Sequence, residues 1–215
     1  MTYFFDLDGT LTDSQEGILK CVRYALESRG ITENDYEKLK RFIGPPLTNA
    51  FMEIYGVDER VANELLHKYR ERFSTVGMFE NKLYDGVYDM LKNLKAERHI
   101  MAVVTGKPQV YSEKIAEHFD IAKFFDAIVG PELSNVEEGK VSLVKRALEL
   151  TGGKNAVMIG DRKFDIEGAK ANNIPAVAVL YGFGSREELE AAKADYFAES
   201  VYDLQNLLLD GKKLM

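Results

Sequence analysis

The chain of 215 residues contains few of the residues that build disulfide or zinc scaffolds. Its single cysteine, Cys21, excludes an intramolecular disulfide. Cys21 lies in a helical apolar pattern, so we predict that it is a packing residue and not a nucleophile. The three histidines are scattered without the spacing of a zinc site: His67, His99 and His118. The sequence therefore favours neither a disulfide scaffold nor a zinc scaffold.

The sequence also lacks a long apolar segment and an excess of positive charge. No basic region followed by a long apolar stretch is present at the N-terminus, so we expect neither a signal peptide nor a membrane span. We therefore expect a cytoplasmic location. The formal net charge is -7. A nucleic acid polymer or an anionic membrane is a poor partner for such a protein, because a polyanion needs a field of the opposite sign. A small anion in a local pocket is still allowed.

The residues that are present are those of a globular α/β protein. Hydrophobic residues make up 46% of the chain and charged residues 29%, which is enough apolar material for a full core. Short continuous apolar runs separated by helical patterns are typical of strands buried on both faces of a parallel sheet. The predicted strands are residues 3–5, 100–104, 127–129, 156–159 and 176–180.

Apolar residues at helical spacing predict the layers that cover this sheet. The two clearest sets are Val87, Met90, Leu91 and Leu94, and Val141, Val144 and Leu148. The long segment between the first two strands contains helical patterns and no convincing strand. We therefore predict an α/β core domain of residues 1–13 and 83–215. The helical insertion, residues 14–82, should lie over the end of the sheet at which the first strand stops, as a cap.

An aspartate pair follows the first predicted strand, in the order Asp6-Leu7-Asp8-Gly9-Thr10. A carboxylate at the end of a buried strand loses solvation and needs a compensating cation, so two of them indicate metal or phosphate chemistry. The structural alternative is an Asp-Gly turn without a function. We predict that Asp6 is a nucleophile and that Asp8 transfers a proton.

Polar segments also follow other predicted strands, and the carboxyl ends of parallel strands share one edge of the sheet. Thr105 and Gly106, just before Pro108, would offer a hydroxyl and an amide to a phosphoryl oxygen. Helix capping alone is the structural alternative for this segment.

Two more aspartates, Asp161 and Asp165, follow the strand predicted at 156–159. Capping of the next helix explains Asp161 but not Asp165. Carboxylates gathered at the same edge as Asp6 would repel one another unless a divalent ion bridged them. A site with only oxygen ligands indicates Mg2+.

A cation is needed to neutralise a phosphoryl group and Asp6. Lys140, at the start of a predicted helix, is the best placed by a small margin, and Lys107 and Lys145 are rivals. A solvated helix lysine is the structural alternative for each of them.

The combined motifs resemble those of the haloacid dehalogenase superfamily of phosphohydrolases. The motif order spans nearly the whole chain, and the residues that carry it are Asp6-Leu7-Asp8-Gly9-Thr10, Thr105-Gly106, Lys140, and Gly160-Asp161 with Asp165. The insertion is similar to the helical, C1-type cap of the phosphoglycolate phosphatase-like subgroup. The resemblance implies a Rossmann-like parallel sheet core with an inserted all-helical, mobile cap domain.

The resemblance also implies a Mg2+-dependent phosphatase. Asp6 would take the phosphoryl group before water releases it, and Asp8 would protonate the leaving alcohol and then activate water. The implied metal ligands are the Asp6 carboxylate, the Asp8 backbone carbonyl, Asp161 and, directly or through its water shell, Asp165. The implied phosphoryl-binding groups are Thr105, Gly106 and Lys140.

Alternatives within and beyond the superfamily remain. Val141 follows Lys140 where many relatives have proline. Asp8 argues against a dehalogenase, which needs no proton donor to an alcohol. A sugar phosphomutase is a weaker alternative, because Ile18 stands where the hexose phosphomutase branch has a histidine, and isoleucine cannot donate a hydrogen bond. A non-catalytic regulator that binds a phosphometabolite would not need both Asp6 and an acid.

Substrate selection is expected to lie in the insertion. Arg41 begins the segment 41–47, whose glycine and prolines make a stiff loop, and it could bind a substrate carboxylate or second phosphate. An exposed helix arginine is the structural alternative. The expected substrate is a small phosphorylated metabolite such as phosphoglycolate, a nucleotide, a sugar phosphate or pyrophosphate. The expected assembly is a monomer or homodimer.

Overall fold

A computed structural model of the chain describes residues 1–135, 138–153, 155–211 and 214. The chain divides into two units. One unit consists of Met1–Asp13 and Leu83–Met215, and the other is Ser14–Lys82.

Strands and helices follow one another along the described residues. The strands are β1 Thr2–Phe5, β2 Thr12–Asp13, β3 Lys82–Leu83, β4 Ile100–Val104, β5 Ala127–Val129, β6 Ala156–Gly160, β7 Ala176–Val179 and β8 Tyr196–Ala198. The helices are α1 Gln15–Glu27, α2 Tyr36–Lys40, α3 Leu47–Tyr55, α4 Glu59–Phe73, α5 Val87–Ala96, α6 Gln109–His118, α7 Lys140–Thr151, α8 Lys163–Ala171, α9 Arg186–Ala191 and α10 Val201–Leu209. Short 3-10 helices lie at Gly77–Phe79 and Ala122–Phe124.

The first unit is built on a parallel sheet in the order β5-β4-β1-β6-β7-β8. Strand β1 lies in the interior, where Phe5 pairs with Val103 of β4 and with Ile159 of β6. All four residues of β1 are buried, because helices cover both faces of a parallel sheet. The predicted α/β class with a Rossmann-like parallel sheet is confirmed.

The strands differ from the predicted ones in several places. Strand β1 begins one residue earlier, at Thr2, strand β6 includes Gly160, and β7 stops at Val179. Strand β8, Tyr196–Ala198, was not predicted, because acidic residues flank it and only Ala198 of its three residues is buried, so it lacks a clear apolar run. The strands β2 and β3, which pair with each other, have two residues each and are too short for a pattern.

The apolar stripe of α7 differs from the predicted one. Leu143, Val144 and Ala147 are buried, and Leu148 packs against the same core cluster. Val141 is 48% exposed. Two residues correspond to about 200° of helix rotation, so Val141 and Leu143 cannot face the same layer.

The second unit is helical apart from Lys82, which begins β3. Its α1 helix buries Ile18, Val22, Ala25 and Leu26, as the helical spacing predicts. Helix α1 packs against α4, whose buried residues include Leu65, Tyr69 and Phe73. Cys21 is buried within this unit, and its Sγ accepts a hydrogen bond from Arg72 Nη1 at 3.2 Å. None of the helices formed by the described residues is long and apolar enough to cross a membrane.

Candidate active site

The carboxyl ends of three neighbouring strands bring distant residues together. Asp6 follows β1, Thr105 follows β4 and Asp161 follows β6. The backbone N–H of Asp6 donates to Ile159 O at 2.9 Å, so β1 and β6 remain paired up to the first aspartate. This edge is where open α/β sheets bind their ligands.

A tight turn follows β1 and carries Asp8. Leu7 O accepts hydrogen bonds from the N–H groups of Leu11 at 3.0 Å and Thr12 at 2.9 Å. Gly9 lies in the left-handed region with φ of +82°, a conformation that favours glycine. A Cβ at Gly9 would overlap the Asp161 carboxylate. The glycine therefore allows both the turn and the close approach of Asp161.

Three buried carboxylates form an acidic cluster at this edge. Asp6, Asp161 and Asp165 each offer an oxygen, and these oxygens lie within 4.8 Å of one another. Asp161 Oδ1 accepts a hydrogen bond from Thr10 Oγ1 at 3.3 Å, and Oδ2 accepts from the Phe183 N–H at 2.8 Å. Each oxygen of this side chain is thus held in place.

Burial and mutual repulsion disfavour full ionisation of the cluster. Burial, with the nearby charges of Asp165 and Asp6, raises the pKa of Asp161 well above its usual value. Burial also raises the pKa of Asp165 to about 6; Asp6 adds to the shift and Lys140 opposes it. A group of carboxylates with this behaviour is typical of a cation site.

The turn between β6 and α8 corrects one expectation. The N-cap of α8 is Arg162, not Asp161, and Asp165 Oδ2 accepts the Arg162 N–H at 3.1 Å. Capping therefore explains Asp165 and leaves Asp161 unexplained, so the sequence-based interpretation was wrong on this point. The reason is that α8 begins at Lys163, which leaves Asp161 in the turn ahead of the cap.

Lys140 reaches this cluster from the first residue of α7. Its Nζ lies 2.9 Å from Asp6 Oδ1 and 2.6 Å from Asp165 Oδ1, and it donates to Val104 O at 2.9 Å. Burial opposes its charge, but the carboxylates of Asp165 and Asp6 outweigh burial and raise the pKa of Lys140. A Cβ at Gly168 would lie 2.7 Å from Lys140 Cγ, so glycine leaves room for this side chain. The rival Lys145 is exposed on the same helix.

The second rival lysine occupies a different place. Lys107 Nζ lies 2.7 Å from Asp8 Oδ2, and the Lys107 side chain is only 6% exposed. Thr105 is buried, and its Oγ1 accepts the Lys107 N–H at 3.2 Å. Gly106, between them, is exposed. The segment after β4 therefore contacts Asp8, whereas Lys140 contacts Asp6.

The sequence analysis did not identify the segment after β7. Besides the Phe183 N–H, this segment supplies the Tyr181 hydroxyl, which donates to Thr10 O at 3.0 Å. A Cβ at Gly182 would overlap Asp161 Cβ and Gly9 O. The pattern Tyr-Gly-Phe-Gly directly after a predicted strand was the available signal, but it contains no charged group that suggested chemistry.

Arg41 belongs to the helical unit and follows α2. Its Nη2 lies 2.8 Å from Glu53 Oε1, and both side chains are exposed. This is the contact expected of a surface arginine, and its role in substrate binding stays a prediction.

Comparisons with known proteins agree with these motifs. Residues 3–179 match the family model of haloacid dehalogenase-like hydrolases. A 5'-nucleotidase of Pseudomonas aeruginosa is 42% identical over 206 residues, which cover 95% of this chain and 93% of that protein. Pyrophosphatase PpaX of Bacillus cereus is 30% identical over 213 residues, 97% of this chain and 96% of that protein.

A solved structure extends the likeness to the fold. The crystal structure of a predicted phosphatase from Clostridium acetobutylicum has 46% sequence identity and a TM-score of 0.91, and the match covers 97% of this chain and 98% of that one. The resemblance drawn from the motifs is confirmed. The chain belongs to the haloacid dehalogenase-like hydrolase family and is an enzyme of that family.

Proposed function

We propose that the enzyme is a Mg2+-dependent phosphatase that hydrolyses a small phosphomonoester through an aspartyl-phosphate at Asp6. One observation carries the proposal. The oxygens of Asp6, Asp161 and Asp165 gather within 4.8 Å, and the buried ammonium of Lys140 contacts two of these three carboxylates. Such a site combines a nucleophile, a cation and a place for a second cation.

The residues present fit Mg2+. The cluster offers carboxylate oxygens, which this ion prefers. Burial, with the charge of Asp6, raises the pKa values of Asp161 and Asp165, and a bound cation would offset both the lost hydration and the repulsion. Asp6, Asp161 and Asp165 would hold the ion together with the backbone carbonyl of Asp8. When bound, Mg2+ supplies positive charge that favours a phosphoryl group in this acidic surrounding.

In the first half of the reaction, a carboxylate oxygen of Asp6 forms a bond to phosphorus while the ester P–O bond breaks. The leaving oxygen keeps the bonding electron pair and takes a proton from Asp8. Lys140, already 2.9 Å from Asp6 Oδ1, holds the nucleophile in place. The hydroxyl of Thr105 and the N–H of Gly106 would donate to phosphoryl oxygens at the same edge.

In the second half, a water oxygen forms a bond to phosphorus, and the bond between phosphorus and the Asp6 oxygen breaks. The water proton passes to Asp8, which restores the acid for the next cycle. Inorganic phosphate and the free Asp6 carboxylate are the products of this step.

The substrate is selected, in this proposal, by the helical unit acting as a cap, with Arg41 as its candidate contact. Nucleoside 5'-monophosphates are the first substrates to test, because the relative with 42% identity is named a 5'-nucleotidase. Pyrophosphate follows, because PpaX is named a pyrophosphatase.

The proposal is tested by phosphate release from p-nitrophenyl phosphate, nucleoside monophosphates and pyrophosphate. We expect turnover with Mg2+, loss of turnover with a chelator, and recovery when Mg2+ is added back. Asp6→Asn removes the nucleophile and should lower kcat by at least about 1,000-fold. Asp89→Asn, at an exposed position of α5 in the same unit, makes the same chemical change as a control.

Two outcomes would reject the proposal. A folded wild-type protein without turnover on any of these substrates rejects the phosphatase. Turnover by Asp6→Asn close to that of Asp89→Asn rejects Asp6 as the nucleophile.

A further inference from the structure

The two oxygens of the Asp8 carboxylate have different surroundings. Oδ2 lies 2.7 Å from the ammonium of Lys107. Oδ1 is buried, and no group of the described residues forms a hydrogen bond with it. An ammonium that binds one oxygen fixes the direction in which the other oxygen faces. Of the two oxygens, Oδ1 is therefore the one whose lone pairs no described group engages.

The backbone of Lys107 is itself held by its neighbours. Its N–H donates to Thr105 Oγ1 at 3.2 Å, and its carbonyl accepts a hydrogen bond from Ser112 Oγ at 3.3 Å. A Cβ at Gly130 would overlap this carbonyl, so glycine permits the segment after β5 to pack against it. With a side chain only 6% exposed, Lys107 is a fixed partner and not a solvated lysine that happens to lie near a carboxylate.

We propose that Lys107 is a positioning residue that holds Asp8 in the orientation needed for proton transfer. The inference rests on the proposed phosphatase function. It differs from binding of the transferring phosphoryl group, which the site already assigns to Lys140, Thr105 and Gly106. Lys107 acts through Asp8 and touches none of the reacting atoms.

The proposal has a chemical consequence that separates it from other roles. A misplaced Asp8 slows the breaking of an ester bond only when the leaving oxygen needs a proton. Benzyl phosphate releases a weakly acidic alcohol and depends on the acid. p-Nitrophenyl phosphate releases a much more acidic phenol, which can leave as an anion. Each variant is compared with the wild type on the same compound, so a difference in binding between the two compounds does not enter the comparison.

The test measures kcat and KM of the full chain with both substrates under saturating Mg2+. Lys107→Met removes the charge and keeps most of the volume. General acid catalysis is worth about 100-fold or more, so we expect kcat/KM for benzyl phosphate to fall by about 10- to 100-fold. The value of kcat/KM for p-nitrophenyl phosphate should fall by less than about 3-fold. This ratio covers the steps through release of the alcohol and excludes hydrolysis of the phosphoenzyme, in which Asp8 also acts.

Two further variants keep the comparison interpretable. Lys107→Arg retains a cation and should recover part of the benzyl phosphate activity. Lys114→Met makes the same change at an exposed position of α6 and should leave both substrates unaffected. Circular dichroism and thermal melting show whether each variant is folded.

The outcomes are distinct. An equal loss of kcat/KM on both substrates assigns Lys107 to phosphate binding and overturns the proposal. Unchanged kinetics with a lower melting temperature assigns it a structural role and also overturns it. A wild-type enzyme inactive on both substrates rejects the phosphatase function itself, which is a different failure.

Discussion

At the scale of single residues, the neighbourhood of Lys140 explains how an acidic edge can exist inside a folded protein. Three carboxylates without a cation would be costly to bury, because desolvation and repulsion act together. Lys140 contacts two of them, Asp6 and Asp165, at less than 3 Å. One side chain thus stabilises the cluster and orients the proposed nucleophile.

Lys140→Met should lower both the catalytic activity and the stability of the folded protein. Removal of one group that stabilises developing charge typically lowers kcat by about 100- to 1,000-fold, and we expect a loss in this range. Removal of one partner of a buried ion pair costs about 3–5 kcal/mol, so the metal-free variant should unfold at lower denaturant concentration. Phosphate release and chemical denaturation measure the two effects.

The control for this variant is Lys145→Met, at an exposed position of the same helix. It should match the wild type in both measurements. Activity of Lys140→Met within about threefold of the control would contradict the role given to Lys140, since it is far below the loss expected for a group that stabilises charge.

At the scale of elements, the site depends on a glycine-containing segment that has no catalytic side chain. The segment after β7 lies against the turn after β6, where the Phe183 N–H binds Asp161. Tyr181 links the same segment to the turn after β1. The loops after β1, β6 and β7 are thus linked through the Asp161 carboxylate and the Tyr181 hydroxyl.

Gly182→Ala should weaken metal binding and leave the nucleophile in place. The added Cβ would overlap Asp161 Cβ and Gly9 O, so Asp161 must shift. Changes to groups that orient a metal ligand cost about 10- to 100-fold in affinity, and the Mg2+ concentration for half-maximal activity should rise by that amount. Titration of phosphatase activity with Mg2+ measures it.

Gly139→Ala is the matched control, because a Cβ there would meet nothing within 4 Å. Its Mg2+ dependence should equal that of the wild type. An unchanged Mg2+ requirement in Gly182→Ala would show that the loop can yield without moving Asp161.

The elements also show what a sequence can reveal about such a site. Continuous apolar runs predicted the five strands 3–5, 100–104, 127–129, 156–159 and 176–180, because burial on both faces leaves a strong local pattern. The parallel order then predicted that Asp6 and Asp161 share an edge. The finding that Asp165 and not Asp161 takes part in capping α8 was not predictable, because it depends on the first residue of the helix, and a sequence does not define a helix boundary to within one residue. Phe183 contributes a backbone N–H, and a motif made of side-chain types cannot reveal such a contact.

At the scale of the whole molecule, the acidic cluster should make the free energy of unfolding depend on pH. The pKa of Asp165 is about 6 in the folded state, above its ordinary value, so the folded protein binds more protons than the unfolded chain between about pH 4 and 6. The free energy of unfolding of the metal-free protein therefore falls as pH rises through this window. The pKa of Asp161 is also raised above its ordinary value, mainly by burial, so this group contributes in the same sense.

We expect the metal-free protein to melt at a higher temperature at about pH 5 than at about pH 7.5. Glu80, whose pKa Arg72 lowers to about 2, contributes in the opposite sense, but only below about pH 4.5, outside the range compared. Burial lowers the pKa of His99, which opposes the effect within the range, but this is one group against the two aspartates of the cluster. Saturating Mg2+ should reduce the difference, because a bound cation favours the ionised carboxylates.

Thermal melting with a chelator and with Mg2+ at both pH values provides the measurement. Asp165→Asn should have a smaller pH dependence than the wild type in the chelator. A metal-free protein that is more stable at the higher pH would contradict the proposed electrostatics of the cluster.

The interior position of β1 has a consequence for biosynthesis. Thr2 pairs with Ile100 on one side and with Ala156 on the other, so a growing polypeptide presents an apolar ribbon long before either neighbour has left the ribosome. Such a ribbon is a target for chaperones and a risk for aggregation until the last partner arrives. A chain terminated before β6 would leave one edge of β1 unpaired and would lack Asp161 and Asp165.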